Sequence, residues 1–181
     1  MEKFNTGDFD GAIIHYSEAI RIAPDNGILY FNRAATYLRK SNIDGVLADC
    51  DKALTLGVSN PADVFVLRGT ARASKGDLDA AIADCDRAIK INPNHALAYN
   101  NRANDRIRKR DWKGALTDSE KAVSLDPNLV LAYYNRGFAR ANTTNYSGAI
   151  ADWTKVIQMQ PSYQAELGQQ IEVCRGRMGR R

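Results

Sequence analysis

Apolar residues recur at steps of three and four along most of the chain. Ala81, Ile82, Cys85, Ala88 and Ile89 show the pattern, which marks one face of an α-helix. The stretches DFDGAIIHYSEAI, NIDGVLADCDKAL, DLDAAIADCDRAI, DWKGALTDSEKAV and NYSGAIADWTKVI are five copies of one such helix. A second helical pattern, YFNRAATY, VLRGTARA, YNNRANDR and YYNRGFAR, precedes the last four copies. Pro93, Pro127 and Pro161 fall 34 residues apart, and Ala81, Ala115 and Ala149 keep the same step. The insertion around Gly57 to Pro61 lengthens one earlier interval by a residue. Each unit therefore reads as two helices. The first follows the proline turn, as from Ala96 to Lys109, and the second opens at Asn42, Asp77, Asp111 or Asn145, residue types that cap a helix N-terminus. One pair cannot bury both apolar stripes, whereas stacked neighbours can, so an all-α, right-handed solenoid of antiparallel helix pairs is expected.

The spacing divides the chain into a partial unit at 1–26 (mainly its second helix), full pairs at 27–60, 61–95, 96–129 and 130–163, and a capping helix with a basic tail at 164–181. Met1 to Thr6 is expected to supply only the last turn of a first helix. The chain thus begins partway through a unit, as a fragment or truncated gene product would. Ala165, Leu167, Ile171, Val173 and Cys174 are the expected apolar positions of the cap.

Hydrophobic residues make up 44% and charged residues 25% of the 181 positions, which excludes wholesale disorder. A net charge of +4 without a strong localised basic stripe argues against nucleic acid. No apolar run reaches membrane-span length, and the N-terminus has no apolar leader, which favours a cytoplasmic address while leaving the compartment open.

An aromatic (Tyr30, Phe65, Tyr99, Tyr133) is followed four residues later by a small residue (Ala34, Gly69, Ala103, Gly137). Another small residue stands twelve further on (Val46, Ala81, Ala115, Ala149), and a proline closes the unit. This combination resembles the tetratricopeptide repeat over roughly residues 1–163. The resemblance implies a superhelix whose first helices line a concave face, and a protein-binding scaffold or adapter rather than an enzyme. Asn32, Arg39, Asn100, Asn101, Asn104, Arg108, Tyr134, Asn135, Phe138 and Asn142 are the expected peptide-binding residues on that face, with Phe31 as a further aromatic. Asparagine is a poor helix former, yet its amide both donates and accepts, which suits a peptide backbone of any sequence. Asn32, Asn101 and Asn135 resemble the asparagine ladder of the O-linked N-acetylglucosamine transferase superhelix, interrupted here by Leu67. YFNRAATY also resembles a co-chaperone unit that clamps a C-terminal carboxylate, but Asp63 and Leu67 stand where that clamp needs cations. A neutral to acidic peptide is the expected ligand.

Arg33, Arg68, Arg102 and Arg136 each precede an aspartate (Asp49, Asp84, Asp118, Asp152) by 16 residues. Ion pairs inside each helix pair are the expected use. Arg106, Arg108, Lys109, Arg110 and Lys113 form the densest basic run, expected as a solvated turn with cations favoured by the helix C-terminus. Cys50 and Cys85 are expected core fillers. His15 stands where the next copy has Asp49 and is expected to be a packing or pairing substitute. No catalytic grouping, cofactor motif or metal-ligand spacing is present in the sequence. An alternative to peptide binding is homodimerisation through Phe9, Ile13 and Tyr16, which the partial first unit is expected to leave uncovered.

Overall fold

The computed structural model describes residues 7–179. They form ten α-helices and one 3₁₀ turn. The helices are α1 (Phe9–Ile22), α2 (Gly27–Arg39), α3 (Ile43–Leu56), α4 (Pro61–Ser74), α5 (Leu78–Ile91), α6 (Ala96–Arg108), α7 (Trp112–Leu125), α8 (Val130–Asn142), α9 (Tyr146–Met159) and α10 (Gln164–Met178). The 3₁₀ turn Pro161–Tyr163 leads into α10. The described residues fall into two compact units, divided between residues 93 and 94. In the first, α1 packs on α2, α2 on α3, α3 on α4 and α4 on α5. In the second, α6 packs on α7, α7 on α8, α8 on α9, α9 on α10, and α6 also meets α8. The all-α, helix-pair fold matches the reading of the sequence. The expected turn at Met1 to Thr6, together with Arg180 and Arg181 of the basic tail, lies outside the described residues.

Each second helix starts where its capping residue places it. Asp8, Asn42, Asp77, Asp111 and Asn145 accept a hydrogen bond from the backbone N–H three residues on, at 2.8 to 3.1 Å. Such a cap stabilises a helix by about 1 kcal/mol. The preceding helix stops through a left-handed residue, Ser41, Gly76, Arg110 or Thr144. This lets Asn42, Asp77, Asp111 and Asn145 donate back to the carbonyls of Tyr37, Arg72, Arg106 and Arg140. The interval with the extra residue is built differently. Gly57 turns at φ 80°, and Pro61 opens α4 as its first residue instead of sitting in the turn. A Cβ at Gly27 would lie 2.8 Å from the Gly57 carbonyl oxygen, so only glycine fits the start of α2 there.

The core runs along the helix pairs rather than gathering in one centre. Ala34, Val46, Cys50 and Ala53 are fully buried in the first unit, and Trp153, Val156 and Leu167 in the second. Burial pushes the Cys50 thiol up to about 12, so it stays protonated and inert. On α10, Leu167, Ile171 and Cys174 close over Trp153 and Val156, while Val173 stands 47% exposed and lies outside the seam.

Candidate functional site

The arginine series is spent inside the fold. Arg33 donates from Nε and Nη2 to both oxygens of Asp49, at 2.7 and 2.8 Å. Arg68 and Asp84, Arg102 and Asp118, and Arg136 and Asp152 repeat the two-pronged geometry. The four aspartates are almost fully buried. Each guanidinium also lies 5.1 to 5.7 Å from the ring three residues before it, Tyr30, Phe65, Tyr99 or Tyr133. The third prong of Arg33 reaches Ser17 on α1, and that of Arg68 reaches Asp51 on α3, which ties each pair to the one before it. In three pairs a further arginine shares the aspartate: Arg72 on Asp84, Arg106 on Asp118 and Arg140 on Asp152. Arg106 is therefore not a solvated turn cation as expected. Its aspartate lies twelve residues ahead, a spacing that the 16-residue series concealed. His15 likewise does not take the buried place that Asp49 has in the next pair: its side chain is 62% exposed, with Glu18 at 3.9 Å.

The expected peptide-binding residues divide by unit. In the first, Asn32 is half-buried, and Arg39 is exposed with its guanidinium 5.5 Å from the Phe9 ring. In the second, Asn104, Arg108 and Asn142 are exposed and Asn101 is half-buried. Asn100 and Asn135 turn inward. Asn135 donates to the side-chain oxygen of Asn100 at 2.9 Å and to its carbonyl at 3.3 Å, and both residues are under 5% exposed. Their amides join α6 to α8. The Tyr134 hydroxyl donates to Glu166 on α10 at 2.5 Å, and its ring stacks obliquely on Phe138 and Tyr163. Burial, and then Glu166, push that hydroxyl above its ordinary range. Phe138 meets Trp153 edge-on at 5.0 Å. Both aromatics thus line a face already shared with the 3₁₀ turn and α10.

Two side chains absent from the expected set complete this face. Leu97 and Leu131 are 48% and 46% exposed, although both are large and apolar. On α6, Leu97, Asn101, Asn104 and Arg108 follow a helical stripe; on α8, Leu131, Tyr134, Phe138 and Asn142 do the same. The signal in the sequence was a leucine at the second position of both helices, outside the main apolar period. Beneath the stripe lies Asp105, 2% exposed, with its nearest cation, Arg108, at 3.8 Å. Burial pushes this carboxyl up to about 6, and Arg108 pulls it partly back.

On α1, the expected bare trio is partly covered: Phe9, Ile13 and Tyr16 are half-buried, while Ile14 and Ile22 are 58% and 78% exposed. Among the described residues, no cluster of three or more His, Cys, Asp or Glu is placed to hold a metal ion, and no helix is long and apolar enough to cross a membrane.

Comparison with known proteins points one way. Residues 62–95 match a family described as the tetratricopeptide repeat, and residues 2–41 match a TPR repeat family. Stress-induced-phosphoprotein 1 of Caenorhabditis elegans is 42% identical over 55 residues, covering 30% of this chain and 17% of that protein. The crystal structure of MamA superposes with a TM-score of 0.74 at 24% identity, over 88% of this chain and 92% of that one. The first TPR of Spaghetti (RPAP3), bound to the HSP90 peptide SRMEEVD, superposes with a TM-score of 0.61 at 24% identity, over 65% of this chain and 95% of that one. At these identities the two structures establish likeness of fold.

Proposed function

The chain is a tetratricopeptide-repeat protein, and we propose that it serves as an adapter that holds an extended segment of another protein and catalyses nothing itself. The family and its fold are protein-interaction modules, and one neighbour of the same fold was solved with a peptide bound. The observation that carries the reading is the stripe pair of the second unit. Leu97 and Leu131 offer apolar contact, while Asn104, Asn142 and Arg108 offer exposed hydrogen-bonding groups beside them. Leucines left in water at equivalent positions of neighbouring helices cost solubility unless a partner covers them. Amides alongside satisfy the polar backbone of an extended guest. A neutral to acidic segment suits Arg108. Asn135 and Asn100 support this face from below.

The test is capture of partners by the intact chain and by a variant carrying Leu97→Ser, Asn104→Ala and Asn142→Ala. All three side chains are exposed, so the thermal melt should hold. Bound partners should fall at least about tenfold, the effect of losing a few interface contacts. Undiminished capture by a well-folded variant would exclude this face. The alternative, a homodimer through α1, rests on Ile14 and Ile22; a mass by sedimentation that stays monomeric at rising concentration would dismiss it.

A further inference from the structure

Successive helix turns are tied together at one edge by an acid and a lysine. Asp10, the second residue of α1, pairs with Lys40 after α2. Asp44, the second residue of α3, pairs with Lys75 after α4 at 2.9 Å. The same positions in the second unit are Lys113, the second residue of α7, and Thr143, the residue after α8. The acid has become a cation and the lysine a hydroxyl. A cavity of about 460 Å³ opens there, lined by Arg110, Trp112, Lys113, Asn142 and Thr144 among others. Among the described residues, neither Arg110 nor Lys113 enters an ion pair. The acid on this wall, Asp111, is already engaged: one oxygen caps α7 through Gly114 N–H, and the other lies 3.6 Å from Arg106. Thr143 donates its hydroxyl back to the Ala139 carbonyl, which leaves it no role as a counter-charge.

We propose that this cavity is a second docking site, which meets the stripe face only at Asn142 and takes an acidic peptide segment of a protein partner. A partner carboxylate supplies the negative charge that Asp10 and Asp44 supply in the other turns, between Lys113 and Arg110. An apolar neighbour in the segment rests on the half-buried indole of Trp112. Two cations and one indole are too short a track for a nucleic-acid strand, which needs a run of phosphate contacts with several stacking platforms.

The decisive variant is Lys113→Asp with Thr143→Lys. It rebuilds the tie already formed by Asp44 and Lys75, so the fold tolerates it. The probe is a fluorescein-labelled peptide of alternating glutamate and leucine, titrated by anisotropy. Its counterpart with lysine for glutamate and single-stranded poly(uridine) serve as comparisons. The intact chain should bind the acidic peptide more weakly as salt rises, and the double variant should lose at least about tenfold in affinity while its melting temperature holds or rises. A variant with Leu97→Ser and Asn104→Ala, which spares the cavity-lining Asn142, should still bind this probe through Lys113 and Arg110, within about threefold. Equal affinity in the Lys113/Thr143 variant, equal affinity for the lysine peptide, or tighter binding of poly(uridine) lost in the same variant would each overturn the proposal. Because the two variants alter different surfaces, failure here leaves the stripe-face reading standing, and the reverse also holds.

Discussion

Asp105 occupies a place that Thr36, Ala71 and Ala139 fill in the other pairs, all of them small and buried. A carboxylate there gives up water and gains only Arg108, at 3.8 Å. Its folded-state carboxyl is pushed up to about 6, against an ordinary value of 3.8 in the unfolded chain. The folded form therefore holds its proton more tightly. Below about pH 4 the residue costs little, stability falls as pH rises from there through about 6, and the full penalty stands above. Asp105→Ala should raise stability at pH 7.5 by something on the order of 1–3 kcal/mol. The gain in melting temperature, followed by circular dichroism, should shrink steadily as pH is lowered to about 4. A gain that is constant with pH would mean packing, not ionisation, is responsible. This residue was hard to read in the sequence because Asp105 looks like one more polar position between Asn104 and Arg106. Its burial is set by packing that its polar neighbours in the chain do not announce. The Asn100–Asn135 amide pair was hidden for the same reason: helical spacing assigned both residues to the open face, while the neighbouring helix covers them.

Helix pairs in this fold match a small residue on the first helix with a partner on the second, and the two sizes compensate. Ala34 accompanies Cys50, Gly69 accompanies Cys85, Ala103 accompanies Ser119, and Gly137 accompanies Trp153. A Cβ at Gly69 would sit 3.7 Å from the Cys85 sulfur and 3.2 Å from a backbone oxygen, a tight fit that small shifts relieve. At Gly137 the same atom would fall 2.3 Å from the Trp153 Nε1, and that ring is fully buried with nowhere to move. Gly137→Ala should therefore cost about 1–3 kcal/mol through overpacking. Adding Trp153→Ser should make the alanine harmless, because Ala103 and Ser119 already coexist. The double variant in urea should be no less stable than Trp153→Ser alone; additive losses would show that the clash is not the cause. At this scale the sequence was most legible. Capping residues, helix starts and the Arg–Asp pairs all follow from local spacing, and each appears where that spacing puts it. The tie between Arg106 and Asp118 did not, since nothing local distinguishes a guanidinium that folds back onto α7 from one that reaches solvent.

A repeat array distributes its stability along the chain, each unit contributing its own term and those of its neighbours. The 34-residue period continues unchanged across Pro93, so nothing in it marks the division at residue 93. The closing role of α10 could be anticipated from its apolar residues, but its bond to Tyr134 could not, because Glu166 and Tyr134 are 32 residues apart and belong to no repeating series. Both tryptophans, Trp112 and Trp153, lie in the second unit, so their fluorescence reports on that part alone, whereas far-ultraviolet circular dichroism reports every helix. Leu167 is fully buried against Trp153 and Val156, and cutting it back to alanine leaves a cavity in the closing seam worth about 2–4 kcal/mol. In a urea titration of Leu167→Ala, the fluorescence midpoint should drop by that amount. The dichroism curve should broaden and keep its later portion, since the helices of residues 7–93 lose none of their own packing. If both signals instead moved together to one lower midpoint, the chain would unfold as a single cooperative body. The local strengths of the two units would then have no separate meaning in solution.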